Sequence, residues 1–211
     1  MGRMRAVVWF VGVLWMFFAL AAHASDGQPM AVTPCELRSD PGRYDHQLVE
    51  VTGMASHAFE EFDFTSGRCA GQRGRSNGLW LEYGGKRQSR TVYCCVDSMG
   101  PDRDEDLVVD GLPSVLVDDA VFERFDRLLH RRNENAVIAT IVGRFFAGAD
   151  SEQNGYRSWG GYGHLGCCSL LVVEQVLWVK PTKYDPYSNN PIVAPTTPLP
   201  PVDPRLLPPG K

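Results

Sequence analysis

Residues 118–147 read DDAVFERFDRLLHRRNENAVIATIVGRFFA, and they decide the fold because one helix is followed directly by the strongest strand of the chain. Asp118 or Asp119 is the predicted N-cap of the helix, which runs to Arg131. Residues 136–147 then form the strand. The apolar residues of the helix recur at helical spacing and predict one buried face: Val121, Phe122, Phe125, Leu128 and Leu129.

Strand patterns lie on both sides of this unit, at residues 47–56, 79–83, 90–96 and 169–180. The second and third of them are joined through Gly84-Gly85, which predicts a hairpin. The order predicts a mainly β fold, a five-stranded OB-fold-like Greek-key barrel with one helix between strands 3 and 4. A β-sandwich of the immunoglobulin type is the alternative, but it does not need the helix.

Four sequence segments also carry a resemblance: YDHQLVEVTG (44–53), LWLEYGG (79–85), ATIVGRFFAG (139–148) and GYGHLG (161–166). They are similar to an uncharacterised group of exported bacterial proteins with an OB-fold-like barrel. The resemblance covers most of residues 34–180. It implies the fold and export, but no activity and no catalytic residues.

The N-terminus has the pattern of a signal peptide. Arg3 and Arg5 precede an apolar run over residues 6–22, and small residues flank His23, so cleavage after Ala24 is expected. A retained membrane anchor is the alternative, since the run is nearly long enough to span a bilayer. Cleavage predicts a periplasmic or secreted protein with one barrel domain over residues 25–180.

Charge and the C-terminal tail limit the classes of partner. Without residues 1–24 the chain has 19 basic and 25 acidic side chains, a charge of −6, which makes nucleic acid an unlikely ligand. The tail, residues 181–211, holds ten of the fifteen prolines and is predicted to be an extended or disordered arm. Its deletion is expected to leave the melting temperature nearly unchanged. The tail is then either an unstructured end, a spacer, or a ligand for a groove-type partner.

Export and an even number of cysteines predict disulfides, and the six candidates are Cys35, Cys69, Cys94, Cys95, Cys167 and Cys168. Adjacent residues of a strand point to opposite faces, so neither doublet is expected to bridge to itself. Cys69 could reach either residue of the first doublet, and Cys35 either residue of the second. The pairing stays open at this point.

A metal-dependent or hydrolytic protein is the alternative function. His57 lies in a predicted loop with Glu60 and Glu61, and these residue types suit acid–base chemistry, with His164 as a further candidate. His164 and Cys167 are the candidate metal ligands, although neither cysteine doublet has the C-x2–4-C spacing of zinc sites. No catalytic motif is present, so no cofactor and no catalytic residue is predicted.

Basic and aromatic residues cluster over the second and third predicted strands. Residues 68–90 contain six Lys or Arg and one acid, Glu82. The seven ligand-binding candidates are Arg73, Arg75, Trp80, Tyr83, Arg87, Arg90 and Tyr93. They predict a non-catalytic, disulfide-stiffened binding module for an anionic glycan, a peptide or an envelope protein, with binding that weakens as salt rises. Alternatively, Trp80 and Tyr83 pack in the barrel and the arginines only keep a hairpin soluble.

Overall fold

A computed structural model describes the chain from residue 28 to residue 207, with gaps. The described residues are 28–58, 60–67, 69, 78–93, 96–97, 101–131, 136–153, 156–183, 192 and 195–207. The predicted signal peptide, residues 1–24, lies outside them. Within these ranges no helix combines the length and the hydrophobicity that crossing a bilayer requires.

Strands make up most of the regular structure. They are β1 (Met30–Val32), β2 (Leu48–His57), β3 (Phe62–Thr65), β4 (Gly78–Tyr83), β5 (Val92–Tyr93), β6 (Val96–Asp97), β7 (Val108–Val109), β8 (Leu112–Pro113), β9 (Ala136–Phe146), β10 (Ala149–Gln153), β11 (Tyr156–Gly160) and β12 (Cys168–Pro181). The helices are α1 (Pro34–Ser39), α2 (Pro41–Tyr44) and α3 (Ala120–Leu129), with short 3-10 turns at His164–Gly166 and Pro204–Leu206.

Five strands close a barrel. Their hydrogen-bonded order is β2-β3-β4-β12-β9, and β9 pairs again with β2. β4 and β12 are parallel, with Trp80 opposite Leu170, whereas the other neighbours in the barrel are antiparallel. α3 lies between β4 and β9, the third and fourth strands of the barrel. This confirms the OB-fold-like barrel predicted from the sequence.

The long strands β9 and β12 form the most extensive pair. Their register shifts between Val173 and Gln175 and again between Val176 and Trp178. Such irregularities increase the local twist and let a long strand coil around a closed barrel. Gly143 in β9 is also required here, because a Cβ at this position would collide with the carbonyl oxygen of Val172.

Helix α3 packs its apolar face onto the barrel, as the sequence predicts. The Asp119 side chain caps its N-terminus by accepting hydrogen bonds from the backbone N–H groups of Val121 and Phe122, both 2.9 Å. Tyr83 makes edge-to-face ring contacts with Phe62 of β3 and with Phe122 of α3, which joins the helix to the barrel core. The buried apolar residues of α3 are Phe122, Phe125, Leu128 and Leu129.

The predicted hairpin of residues 79–83 and 90–96 is wrong. β4 has β3 on one edge and β12 on the other, so no edge of β4 is left for residues 90–96. Within that segment, β5 pairs only with β6, in a separate small sheet. The second barrel strand is β3, which is not among the predicted strands because it is only four residues long. Phe62 and Phe64 of β3 point into the core at alternate positions.

Part of the tail packs on the barrel and is not a disordered arm. Leu206 is 4% exposed and clusters with Val117, Val142 and Leu177. The backbone N–H of Asp203 also donates a hydrogen bond of 2.9 Å to the side-chain oxygen of Gln175 in β12. The segment also starts in the sheet, because Pro181 ends β12 and the N–H of Thr182 donates to the carbonyl oxygen of Ala136 at 3.2 Å. Prolines lack the N–H of a ladder hydrogen bond, but they do not prevent an extended segment from burying an occasional leucine.

The cysteine pairing differs from both expectations. Cys35 bonds to Cys69, with a Cα–Cα distance of 5.4 Å, and Cys167 bonds to its neighbour Cys168. α1 brings Cys35 against the segment that follows β3, where its sulfur lies 3.0 Å from the Ser66 hydroxyl. Cys94 and Cys95 lie outside the described residues.

The rule that adjacent side chains point apart fails at Cys167 because it holds only inside a strand. β12 begins at Cys168, and Cys167 has helical backbone angles, φ −65° and ψ −24°. The doublet therefore spans the boundary between a turn and a strand, and its two sulfurs can meet.

We expect Leu206→Ala to lower the free energy of unfolding by about 2–5 kcal/mol, because it leaves a cavity in the cluster around Val117 and Leu177. Urea denaturation measures this. The control is Leu207→Ala, which truncates a half-buried neighbour outside that cluster and should have a smaller effect. Equal effects of the two variants, or none, would mean that the tail does not pack.

The Cys35–Cys69 disulfide closes a loop with a sequence separation of 34. In the chain-entropy model a loop of this length stabilises the fold by about 4 kcal/mol. We therefore expect the double variant Cys35→Ser, Cys69→Ser to lose a free energy of unfolding of this order in chemical denaturation. Disulfide mapping that joins Cys69 to Cys94 or Cys95 would contradict the pairing.

Candidate functional site

A pocket of about 300 Å³ lies on the outer face of β4, defined as the side that carries Trp80 and Glu82 and is opposite to Tyr83. Side chains alternate along a strand, so Tyr83 enters the core while Trp80 and Glu82 face outward. Leu170 of β12, directly opposite Trp80, extends the floor of the pocket. The rest of the lining comes from two loops: Leu107, Val108, Val109 and Asp110 from one, and Tyr162 and Gly163 from the other.

The first wall is a segment that we name the pocket loop, residues 160–168. Tyr162 and Cys168 hold its base together through two reciprocal backbone hydrogen bonds of 3.1 and 3.0 Å. Gly163, with φ 72°, lies directly on the Trp80 indole, where a Cβ would be only 2.5 Å from a ring carbon. This contact leaves Trp80 2% exposed although it is on the outside of the barrel.

The second wall is the β7–β8 hairpin, which turns at Asp110-Gly111. Asp110 takes a positive φ of 49°. Its carboxylate accepts a hydrogen bond of 2.9 Å from the Tyr162 hydroxyl and lies 3.3 Å from the His46 ring nitrogen. The hairpin and the pocket loop are thus joined by one hydrogen bond across the pocket. Burial and the bond to Asp110 both raise the pKa of Tyr162, so its hydroxyl stays protonated and acts as a donor.

The buried carboxylate of Glu82 lies at the base of the pocket. It pairs with the Arg103 guanidinium at 3.1 Å and accepts hydrogen bonds from the Ser89 hydroxyl and from the backbone N–H of Tyr83. Burial raises the pKa of Glu82, while the charge of Arg103 opposes this. Arg103 also donates to the backbone carbonyls of Tyr83 and Arg87. This ion pair therefore fixes the long connection after β4 against the barrel.

The surface of the pocket combines apolar groups with acids. Glu82 and Asp110 are the ionisable carboxylates of the lining, and no Lys or Arg is among the described lining residues. Two strongly exposed apolar side chains belong to the two walls: Val108 at 59%, which lines the pocket, and Leu165 at 74%, in the pocket loop. Leu165 stands at the tip of the pocket loop with φ 56°, a backbone conformation that is unfavourable for leucine. Strain and exposure at one residue are features of functional loops.

The described ligand-binding residues predicted from the sequence are divided between two places: Tyr83, Arg87 and Arg90 line a small crevice with Asp102 and Asp126, and Trp80 lies in the pocket over β4. Trp80 belongs to the pocket, but Tyr83 is buried in the core with its hydroxyl bonded to Asp126, so it offers no stacking face. Arg87 is surrounded by three acids, Asp102, Asp118 and Glu123.

Arg90 is exposed and has a positive φ of 58°. Arg73, Arg75 and the side chain of Tyr93 lie outside the described part of the chain. Of the described members of the predicted group, Trp80 alone lines the pocket over β4, whereas Tyr83, Arg87 and Arg90 line the separate crevice.

His57 belongs to a different cluster, at the end of β2. Its ring centroid lies 4.4 Å from that of His130, the C-cap of α3. The His57 Nε2 donates to the carbonyl oxygen of Ser89 (3.1 Å) and lies 2.9 Å from the Thr91 hydroxyl. Glu60 and Glu61 are exposed in the turn before β3, and His164 lies in the pocket loop, next to Gly163 in the chain. The four residues of the predicted hydrolytic site are thus divided between two regions.

The two rings of this cluster differ in charge. Burial, and to a smaller extent the charge of His130, lower the pKa of His57 to about 4. Burial also opposes protonation of His130, but the hydrogen bonds to Asp126 and to the Ser89 carbonyl, together with the charge of Asp126, outweigh it and raise the pKa. Both ring nitrogens of His130 face acceptors, at Asp126 and at the carbonyl oxygen of Ser89, which suits an imidazolium. Since Ser89 and Thr91 are fully buried, the cluster joins α3 to the barrel.

The described residues contain no group of three or more His, Cys, Asp or Glu able to hold a metal ion. Comparisons of the chain with protein-family models, curated proteins and solved structures find no match.

Sequence reasoning missed Asp110, Tyr162 and Val108. A signal for the hairpin was present, because Asp-Gly between apolar residues favours a tight turn. Nothing in the pattern shows that this hairpin meets Tyr162, since that contact joins residues 52 positions apart.

The histidine cluster predicts a pH dependence of stability. A histidine whose folded-state pKa is about 4, against an ordinary 6.5, favours the unfolded state as pH falls, because the unfolded chain takes up the proton first. His57 should therefore reduce the free energy of unfolding by up to about 3 kcal/mol between pH 6.5 and pH 4. His130, with its raised pKa, acts in the opposite direction and stabilises the fold at low pH.

The variant His57→Gln keeps a donor for the carbonyl oxygen of Ser89 but cannot be protonated. Its free energy of unfolding should fall less than that of the wild type between pH 6.5 and pH 4, as measured by urea denaturation at several pH values. Parallel curves for the two proteins would contradict a low pKa of His57.

Proposed function

We propose that this protein is a non-catalytic binding module of the OB type, exported from the cell, which binds a segment of a peptide or protein partner in the pocket over Trp80. The observation that carries the proposal is the pocket itself, on the outer face of the barrel between two loops. In OB-folds this region of the barrel, strands 2 and 3 with their adjoining loops, binds ligands. The pocket here includes β4, the third barrel strand, and the pocket loop, which belongs to the connection between the fourth and fifth barrel strands, β9 and β12.

The lining favours an apolar group that also carries N–H donors or a positive charge. The floor and walls are aromatic and aliphatic, which suits burial of hydrocarbon. The carboxylate of Asp110 is half-exposed at the mouth and can accept further hydrogen bonds or attract a cation. An anion would instead meet the carboxylate of Asp110, because Glu82 is paired with Arg103 and no Lys or Arg is among the described lining residues. Of the ligands expected from the sequence, a peptide or protein therefore fits better than an anionic glycan.

The size and the rim of the pocket favour a macromolecular partner. A volume of about 300 Å³ is at the lower end of the range for small-molecule sites, enough for one or two side chains. Val108 in the lining and Leu165 in the pocket loop are exposed apolar side chains that a partner could cover. Exposed apolar groups around a partly apolar depression are typical of protein interaction sites. A basic or aromatic anchor residue of the partner would then enter the pocket while its neighbours contact the rim.

Export is part of the proposal and rests on two supports. The pattern of residues 1–24 is that of a signal peptide, and the Cys35–Cys69 bond suits an oxidising compartment. The expected partners are therefore periplasmic or extracellular proteins.

Selection of phage-displayed random peptides on the folded protein tests the binding role. We expect the selected peptides to share a Lys or Arg next to an aromatic or aliphatic residue. Their addition should shift the NMR signals of the Trp80 indole N–H and the Gly163 amide. Selection of acidic peptides, or binding that leaves both signals unchanged, would contradict the proposed site.

Two variants of the pocket should weaken binding of a selected peptide. Val108→Ser removes apolar contact area, and Asp110→Asn removes the charge but keeps an oxygen that can accept the Tyr162 hydrogen bond. We expect roughly five- to tenfold higher Kd for each in calorimetry. The matched control is Val115→Ser, at an exposed valine that is not part of this pocket. It should bind as the wild type does, and equal losses in all three variants would argue against the site.

A further inference from the structure

The disulfide between Cys167 and Cys168 lies at the base of the pocket loop. Cys168 is the first residue of β12, and its backbone makes the two hydrogen bonds that hold Tyr162 in place. Tyr162 and Gly163 in turn form one wall of the pocket. The covalent state of this doublet and the position of the wall are therefore linked through a single pair of backbone hydrogen bonds.

This disulfide contributes little to the stability of the fold. In the chain-entropy model the stabilisation by a disulfide grows with the length of the loop that it closes. Cys35–Cys69 closes a loop with a separation of 34, whereas Cys167–Cys168 has a separation of 1 and hardly restricts the unfolded chain. A bond that contributes so little to global stability can be opened and closed without unfolding the barrel.

The two sulfurs differ in access, which determines how the bond would react. Cys167 is exposed, whereas Cys168 is 4% exposed and packs against Gly78 of β4. A Cβ at Gly78 would collide with the Cys168 sulfur, so this position accepts only glycine. An external thiolate can reach the Cys167 sulfur, and exposed disulfides are the ones that undergo exchange most readily.

The pocket loop has further contacts that depend on the conformation of the doublet. The N–H of Cys167 donates to the carbonyl oxygen of His164 (3.3 Å), and the N–H of Gly161 donates to that of Gly166 (3.0 Å). A covalent bond between adjacent side chains forms a small ring that includes the peptide bond between them and restricts the backbone of both residues. Opening this ring frees the backbone of Cys167, on which the turn at His164–Gly166 ends.

We propose that the Cys167–Cys168 disulfide is a thiol–disulfide exchange site whose reduction loosens the pocket loop and weakens ligand binding. The regulatory role rests on the proposed binding function. The reductant is an external dithiol. One of its thiolates attacks the Cys167 sulfur, the Cys167–Cys168 bond breaks, and Cys168 leaves as a thiolate that takes up a proton. The second thiol of the reductant, as its thiolate, resolves the mixed disulfide, Cys167 leaves and is protonated, and the dithiol is oxidised to a disulfide.

The test treats the folded, full-length mature protein with limiting dithiothreitol, alkylates it and maps the modified cysteines. The same samples give NMR signals of the Gly163 amide and the Trp80 indole N–H. We expect Cys167 and Cys168 to be alkylated before Cys35 and Cys69, together with shifted or broadened pocket signals and an otherwise folded spectrum. The control is the double variant Cys167→Ser, Cys168→Ser, whose pocket signals should resemble those of the reduced wild type and no longer respond to the dithiol.

Two results would overturn the inference. One is reduction of Cys167–Cys168 only after Cys35–Cys69 or only on unfolding, and the other is early reduction that leaves the pocket signals unchanged. Both are read without any ligand, so they are independent of the peptide selection. If the pocket signals change but no peptide binds either redox form, the exchange site stands and the binding function fails. If a selected peptide binds both forms equally, the regulatory role fails.

Discussion

The closure of the barrel by β9 is the constraint on which the rest of the structure depends. β9 pairs with β2 on one edge and with β12 on the other, so that each barrel strand has a neighbour on both sides. Closure satisfies the backbone hydrogen bonds of the strands and removes exposed edges. It also requires close contact of backbones, which explains why Gly143 meets the Val172 carbonyl without a side chain between them.

A consequence of closure is that the long connections must cover the barrel from outside. The chain between β4 and β9 is held on the outer face by the Glu82–Arg103 ion pair, and the pocket loop by the backbone pair of Tyr162 and Cys168. Trp80 is buried between these two connections, which lie outside the barrel. The proposed pocket is the space that remains where the β7–β8 hairpin and the pocket loop meet over this ring, joined by Asp110 and Tyr162.

The sequence predicted the elements with strong periodicity and missed those defined by distant contacts. α3 and its cap, β2, β4, β9 and β12 all lie within a few residues of their predicted positions, because each has a long apolar pattern. β3 was missed because four residues, Phe62–Thr65, carry little pattern, although both phenylalanines enter the core. Residues 90–96 have strand-forming composition, but β3 and β12 occupy both edges of β4 in the barrel. The packing of Leu206 was hidden by the prolines around it.

The candidate site was also predicted only in part, because distant contacts define it. Charge and aromatic content along one segment predicted that Tyr83 and Arg87 offer a binding surface. Alternation along β4 instead sends Tyr83 into the core, and three acids surround Arg87. Trp80 could be predicted as a site residue because it is an aromatic residue in a segment with a clear strand pattern. The contact of Gly163 with the Trp80 indole could not be predicted, since only the fold brings residues 80 and 163 together.

The most direct measurement of the central claim is the set of NOE contacts of the Trp80 indole in the folded protein. Trp80 on the outer face under the pocket loop predicts strong NOEs from its ring protons to the Hα protons of Gly163. NOEs from Trp80 to the rings of Phe122 and Phe125 instead would place it inside the barrel and contradict both the pocket and the function proposed from it.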